Sequence, residues 1–260
     1  MKRITIFSIF FLCVLVGIGQ EMKHVFDIKT GLGNTSVENE QFTGLKHSGQ
    51  QLQYQLQYGF GREQGLKHQV SFRMLNGEIS YLFDDPTATL PESVLKANLY
   101  ELEYRLMKNI QRGKTTSLFV GAALYLGVRE HISQYHSDAL FFPNESDLTP
   151  YNSYAAVVAV NQDIGERLRF HAVAKYALFS MVFDKSYQIY SRPSEEESVV
   201  QFYGPSYVDF RFSMGGCWDL MNWLAFTVDY DWRYINYDTA KIHTYREWNQ
   251  IFSLGLQLQL

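Results

Sequence analysis

The feature that most constrains this chain is strict alternation of apolar and polar residues. It is clearest at the C-terminus. Trp248, Phe252, Leu254, Leu256, Leu258 and Leu260 fall on one side, with Gln250 the exception. Asn249, Ser253, Gly255, Gln257 and Gln259 fall on the other. The same rhythm runs through Leu224, Phe226, Val228, Tyr230, Trp232 and Tyr234, which alternate with Thr227, Asp229, Asp231 and Arg233. It recurs in Leu52, Tyr54, Leu56, Tyr58 and Phe60, which alternate with Gln53, Gln55 and Gln57. Successive side chains of a strand point to opposite faces, so a period of two sorts these residues cleanly. A helical repeat of 3.6 would mix them.

The alternation predicts an all-β chain of ten strands, roughly 24–35, 50–61, 66–83, 94–109, 115–130, 151–162, 167–183, 200–215, 222–236 and 245–260. Asn76-Gly77 predicts a bulge in the third. The connections 62–65, 110–114, 163–166 and 216–221 are short. Those at 36–49, 84–93, 131–150, 184–199 and 237–244 are longer. Four short turns and five longer loops describe an up-and-down antiparallel meander with both ends on the short-turn side. Bacterial outer-membrane barrels have this arrangement, with short periplasmic turns and long outer loops. Proline removes a ladder donor and belongs outside strand interiors. Pro86, Pro91, Pro143, Pro150 and Pro193 fall in the long connections, and Pro205 near a strand start.

The N-terminus reads as a signal peptide spanning residues 1–19. Lys2 and Arg3 precede an apolar stretch, Ile4–Val16, and Gly17 and Gly19 supply small residues before a cut at Gln20. The apolar run is shorter than the ~20 residues of a spanning helix. Residues 20–260 then form one β-barrel domain. Losing Lys2 and Arg3 leaves 21 basic against 27 acidic residues, a net charge of −6. That balance argues against nucleic acid as a partner. Cys217 alone survives cleavage, so neither an internal disulfide nor a multi-cysteine zinc site is available. No cofactor is expected.

Alternation does not say which face is inside. A secreted soluble barrel or sandwich would bury the apolar face; a membrane barrel turns it to lipid. Strand length favours the membrane, since many strands exceed the ~5–6 residues typical of globular proteins. The polar face carries Glu101, Glu103, Arg105, Asp229, Asp231 and Arg233, charges of both signs that could pair within a barrel. His171 and Lys175 alternate with apolar residues and are expected to join such a network. Ten strands also enclose more space than an ordinary apolar core fills. The 18 Tyr and 19 Phe suit the membrane interface. The expected location is the bacterial outer membrane, as a monomer surrounded by lipid.

Three groups of residues could carry chemistry. Asp84 and Asp85 follow the third strand and Asp184 the seventh. With ten strands and five outer loops, the chain resembles the omptins, outer-membrane endopeptidases. Those enzymes place an acidic pair after the third strand and an Asp-His pair after the seventh. The resemblance is one of topology over the mature chain, and implies an endopeptidase activating water by a general base. Two departures bear on that activity. The acids here are adjacent, whereas the family spaces them by one residue, and Asp184-Lys185-Ser186-Tyr187 contains no histidine.

His131, Ser133 and Glu145 form a second group. Their order is similar to the triad of outer-membrane lipid A deacylases, where serine attacks an ester and histidine takes its proton. Here Gln134 stands where those enzymes have Asn, and their barrels have eight strands. His131 and His136 also lie near Asp138, Glu145 and Asp147, residue types that bind divalent metals, but at spacings that converge on no single point. A solvated acidic loop is the simpler reading, and no metal site is expected. Finally, Asp84, Asp85, Glu92 and Glu195-Glu196-Glu197 could form an acidic rim that attracts a cationic ligand.

The expected function is that of a non-enzymatic outer-membrane barrel with loop-based binding or a structural role. A surface hydrolase, omptin-like or deacylase-like, is the alternative, and a narrow pore a third.

Overall fold

The computed structural model describes residues 22–39, 46–61, 65–81, 93–135, 146–185, 198–204, 207–239 and 243–260. Among these the chain is almost wholly extended. The strands are β1 (Lys23–Asn39), β2 (Lys46–Gly61), β3 (Leu66–Tyr81), β4 (Ser93–Arg112), β5 (Thr116–Tyr135) and β6 (Ser146–Ile164). They continue with β7 (Leu168–Lys185), β8 (Ser198–Tyr203), β9 (Val208–Met221), β10 (Leu224–Thr239) and β11 (His243–Gln259). Both β8 and β9 pair with β7, at opposite ends of it. They are therefore two pieces of one ribbon, and the barrel has ten. The break between them is held by Tyr207 N donating to Gly204 O at 3.1 Å. Pro205 itself lies outside the described residues.

Each ribbon pairs antiparallel with its sequence neighbours, and β1 closes the ring against β11 from Val25↔Gln259 to Asn39↔Tyr245. Closure removes the edges of the sheet among the described residues, except at β8, which pairs with β7 alone. Short connections join β2 to β3, β4 to β5 at 113–115, β6 to β7 at 165–167 and β9 to β10 at 222–223. Gly165 sits in the third with φ +73°, a conformation that residues with a Cβ adopt at a cost.

Three expectations are corrected. The turn expected at 216–221 is strand, and β9 runs on to Met221. Gly215-Gly216 reads as a breaker, yet Gly215 faces inward where a Cβ would collide with the Asp229 carboxylate and the Val228 backbone. Its lack of a side chain serves close packing. The bulge expected at Asn76-Gly77 is absent: β3 keeps constant register with β2 and β4. There too the glycine admits close approach, since a Cβ on Gly77 would meet the Gln50 and Gln51 backbone. Pro150 belongs to β6, opposite Val128, because pairing continues beyond the apolar part of the strand. The same extension adds residues at the long-loop ends of β1, β2 and β5. Thus β4 and β5 reach 20 residues each, well beyond the ~9–11 needed to cross a bilayer.

The two faces are sorted as alternation requires. Leu32, Phe252, Leu254 and Leu178 are 54–65% exposed on the outside. A soluble protein rarely exposes so continuous an apolar belt. All four tryptophans stand on this outer surface. Trp223 is in the 222–223 turn and Trp218 lies near it on β9, while Trp232 and Trp248 meet edge to face nearer the long-loop end. Aromatic girdles at both interfaces flank the lipid-facing band of membrane barrels. The buried interior instead holds Glu101, Glu103, Arg105, Arg129, Asp209, Arg211 and Arg233. This is a membrane barrel with lipid outside and a polar lumen.

Candidate functional site

Alternation drives charged side chains into the lumen, and the barrel's curvature brings distant ribbons together there. At mid-height Glu101 accepts from Arg211 Nη1 of β9 at 2.6 Å and from Arg73 Nη2 of β3 at 2.8 Å. Its other oxygen accepts from the hydroxyl of Tyr151 on β6. Asp209 accepts from Arg211 Nη2 and from Arg233 Nη2, both at 2.8 Å. The Arg211 guanidinium lies 3.7 Å from the centre of the Tyr125 ring. Beside this cluster, Lys175 of β7 and Arg105 both pair with Glu103. Buried charges of this kind persist only when paired and hydrogen-bonded. Together they reach across the lumen and fill it at this level.

Toward the long loops the filling becomes aromatic and apolar. Arg129 donates to the Tyr207 hydroxyl at 3.2 Å, lies 3.3 Å from Glu247, and sits over the Tyr151 ring at 4.3 Å. Tyr245 donates to Glu247 at 2.7 Å. Leu75, Ile79, Val182, Ile235 and Ile251 fill the space around them.

Toward the short turns the lumen opens into a cavity of about 740 Å³. One wall is formed by β1, β10 and β11. There Lys29 Nζ lies 2.6 Å from Asp229, whose second oxygen is 2.7 Å from His171 Nε2. On β2 the Gln53, Gln55 and Gln57 carboxamides form a ladder at 3.4 Å intervals, ending where Gln57 donates to Asp27 at 2.8 Å. Cys217 also lines the cavity, donating to Gln257 and accepting from Arg169, each at 3.3 Å.

The candidate residues from sequence fall as follows. His131 is buried in β5, facing inward with its ring 6.2 Å from that of Tyr245. Ser133 lies two positions further along the same strand, with its side chain outside the described residues, and Glu145 is wholly outside them. Asp84 and Asp85 lie outside the described residues. Asp184 lies within β7, one residue from its end and opposite Val199, rather than after the strand, and its side chain is not described. His136, Asp138, Glu92 and Glu195-Glu196-Glu197 are likewise outside. Among the described residues no three His, Cys, Asp or Glu side chains converge on a metal position. His171 and Lys175 do enter a charge network, with Asp229 and Glu103. Sequence reasoning missed Arg73, Arg129, Tyr151, Asp209, Arg211 and Glu247. The signal was available for Asp209 and Arg211, which alternate with Val208, Phe210 and Phe212.

An apolar outer belt, two tryptophan levels and a charged, closed ring of ten ribbons define an outer-membrane β-barrel protein. Several solved structures are similar to it. The outer-membrane protease OmpT from Escherichia coli superposes with a TM-score of 0.57 at 11% identity, over 93% of this chain and 98% of that one. The transport unit of the autotransporter AIDA-I from Escherichia coli scores 0.44 at 12% identity, over 94% and 92%. Ail of Yersinia pestis scores 0.39 at 10% identity, over 91% and 99%. No family model and no curated protein sequence matches the chain.

Proposed function

We propose that the chain is a non-enzymatic outer-membrane barrel, plugged at rest and monomeric, whose outer loops bind a ligand or whose role is structural. The observation that supports this is the mid-height cluster of Glu101, Arg211, Arg233, Asp209 and Tyr151. Its charges are spent on one another, and groups so engaged neither conduct ions nor activate water. The acidic loop residues Asp84, Asp85, Glu92 and Glu195-Glu196-Glu197 favour a cationic ligand. The adjacent acids and the missing histidine after Asp184 weigh against the endopeptidase reading.

The test has two arms on the purified mature barrel. In planar bilayers it is expected to give no discrete conductance steps. Incubated with a fluorogenic basic peptide, it is expected to release no product. Steady openings would replace this reading with a pore. Peptide cleavage abolished by Asp184→Ala would replace it with a hydrolase.

A further inference from the structure

The ring of paired strands keeps one open edge among the described residues. Strand β8, Ser198–Tyr203, pairs with β7 and with no other strand. The registers give the cause. Tyr176 pairs with Phe210 on β9, so at the same offset Ser180 would stand opposite 206. On the β9–β10 ladder Asn236 pairs with Val208, which puts 206 level with Asp238. Strand β10 ends one residue later, at Thr239. Ser180 instead pairs with Tyr203, and β7 carries β8 onward to Lys185↔Ser198. The stretch from Ser198 to Gln201 therefore rises past the end of β10. In an antiparallel strand each residue turns its N–H and C=O to the same side, and alternate residues turn to opposite sides. Alternate residues of β8 thus direct these groups away from β7.

This edge stands outside the lipid. Ala174 is level with Trp232 through their common neighbour Phe212, and Trp232 belongs to the tryptophan level nearer the long loops. Ser180 is six residues further along β7, a strand rise of ~20 Å. Exposed edges are commonly blunted by lysine or proline. The segment Ser198-Val199-Val200-Gln201-Phe202-Tyr203 contains neither, and its β-branched and aromatic residues favour strand pairing. An edge of this kind takes an extended polypeptide as an added strand through main-chain hydrogen bonds. Glu195-Glu196-Glu197 immediately precede Ser198 in sequence. In an antiparallel addition, the partner residues that follow the paired stretch come alongside the start of β8. Cationic residues at that point complement the three acids.

We infer that β8 accepts an extended segment of a partner polypeptide as an added antiparallel strand on the outer side of the membrane, and that basic residues after the paired stretch select it. The inference rests on the loop-binding reading above and names the class of its cationic ligand.

The test uses the full mature barrel in lipid nanodiscs and a fluorescent peptide, Thr-Val-Thr-Val-Thr-Val-Lys-Lys-Lys. Anisotropy is expected to show saturable one-to-one binding. Backbone N-methylation separates strand pairing from charge attraction. Methylating all the valines blocks one edge of the peptide, and methylating all the threonines blocks the other. One of these two peptides alone should lose binding, by about tenfold or more. Replacing the lysines by glutamates should weaken binding similarly. Val199→Pro and Val200→Pro, which remove a donor from opposite sides of β8, should each weaken it. Heat-modifiable gel mobility reports that each variant is folded, and if neither folds the methylated peptides carry the test. No binding of the unmethylated peptide overturns the proposal, as does loss in both methylated peptides or in neither. Equal binding of the lysine and glutamate peptides overturns it too. So does a dimer of the barrel that the proline variants dissociate, because the edge would then belong to a second copy. Conductance steps or cleavage of the probe would sink the non-enzymatic reading without touching strand addition, which the methylated pair reads separately.

Discussion

Lys175 Nζ lies 2.9 and 3.1 Å from the two carboxylate oxygens of Glu103, although 72 residues separate them in sequence. Their strands, β7 and β4, are not neighbours in the ring, so the pair braces the lumen rather than the ladder. Glu103 also holds Arg105 at 2.8 Å. Lys175→Met removes one of two cations from a buried carboxylate and should destabilise the barrel by about 3 kcal/mol. Adding Glu103→Gln should recover part of that loss, because Arg105 keeps Gln69 as an acceptor at 3.3 Å. Urea titrations of bilayer-inserted protein measure both. Equal stability of Lys175→Met and the parent would show that the pair does not brace the barrel.

Arg211 is the keystone of the plug, touching Glu101, Asp209 and the Tyr125 ring at once. Truncating it removes the largest side chain joining β9 to β4 and leaves two carboxylates repelling each other. Arg211→Ala with Arg233→Ala should therefore produce conductance steps in planar bilayers where the parent is silent. The opened lumen would be lined by Glu101 and Asp209, so the steps should favour cations over anions. Silence in the double variant would place the seal higher, among Arg129, Tyr207 and Tyr245.

The ten ribbons were legible because alternation is local and survives without knowledge of partners. Leu254 and Gln257 announce their faces from three residues of context. The plug was less legible. Glu101 and Arg211 each read as inward, but their meeting depends on how many ribbons lie between them and on strand tilt, which no local pattern records. Glycine misled for a related reason. Gly77 and Gly215 look like interruptions in sequence, yet each faces a neighbouring strand too close for a Cβ. The outer ends of β1 and β5 were read short because their outward residues turn polar once beyond the lipid, while the backbone pairing continues.

Leu254 is 54% exposed and sits between Thr30 of β1 and Val228 of β10. If this face meets acyl chains, Leu254→Arg should cost about 2–4 kcal/mol near the bilayer midplane. A polar swap at the inward neighbour Ser253, such as Ser253→Asn, removes no lipid contact and tests packing alone. Urea unfolding from bilayers ranks the two. An outer face that met water would give the opposite signature, with Leu254→Arg costing almost nothing and no dependence on lipid thickness in the parent.

Gly31 sets the seam where the first ribbon meets the last. It pairs with Ser253 on one side and Gln53 on the other. Having no side chain, it lets Gln53 Nε2 reach across β1 to donate to Ser253 Oγ at 3.0 Å. A Cβ there would strike Ser253 Oγ and the Phe252 carbonyl. Backbone cannot retreat from such a contact without parting the strands. Gly31→Val should destabilise the barrel by about 1–3 kcal/mol through overpacking and break the Gln53–Ser253 bond. Because β1–β11 pairing completes the ring, the loss should appear first as slower closure, seen as delayed gain of heat-modifiable mobility during refolding. Gly31→Val combined with Ser253→Gly relieves the side-chain clash but not the carbonyl one, and should recover only part of the rate. Refolding of Gly31→Val at the parent's rate would show that close approach at this seam is not required for closure.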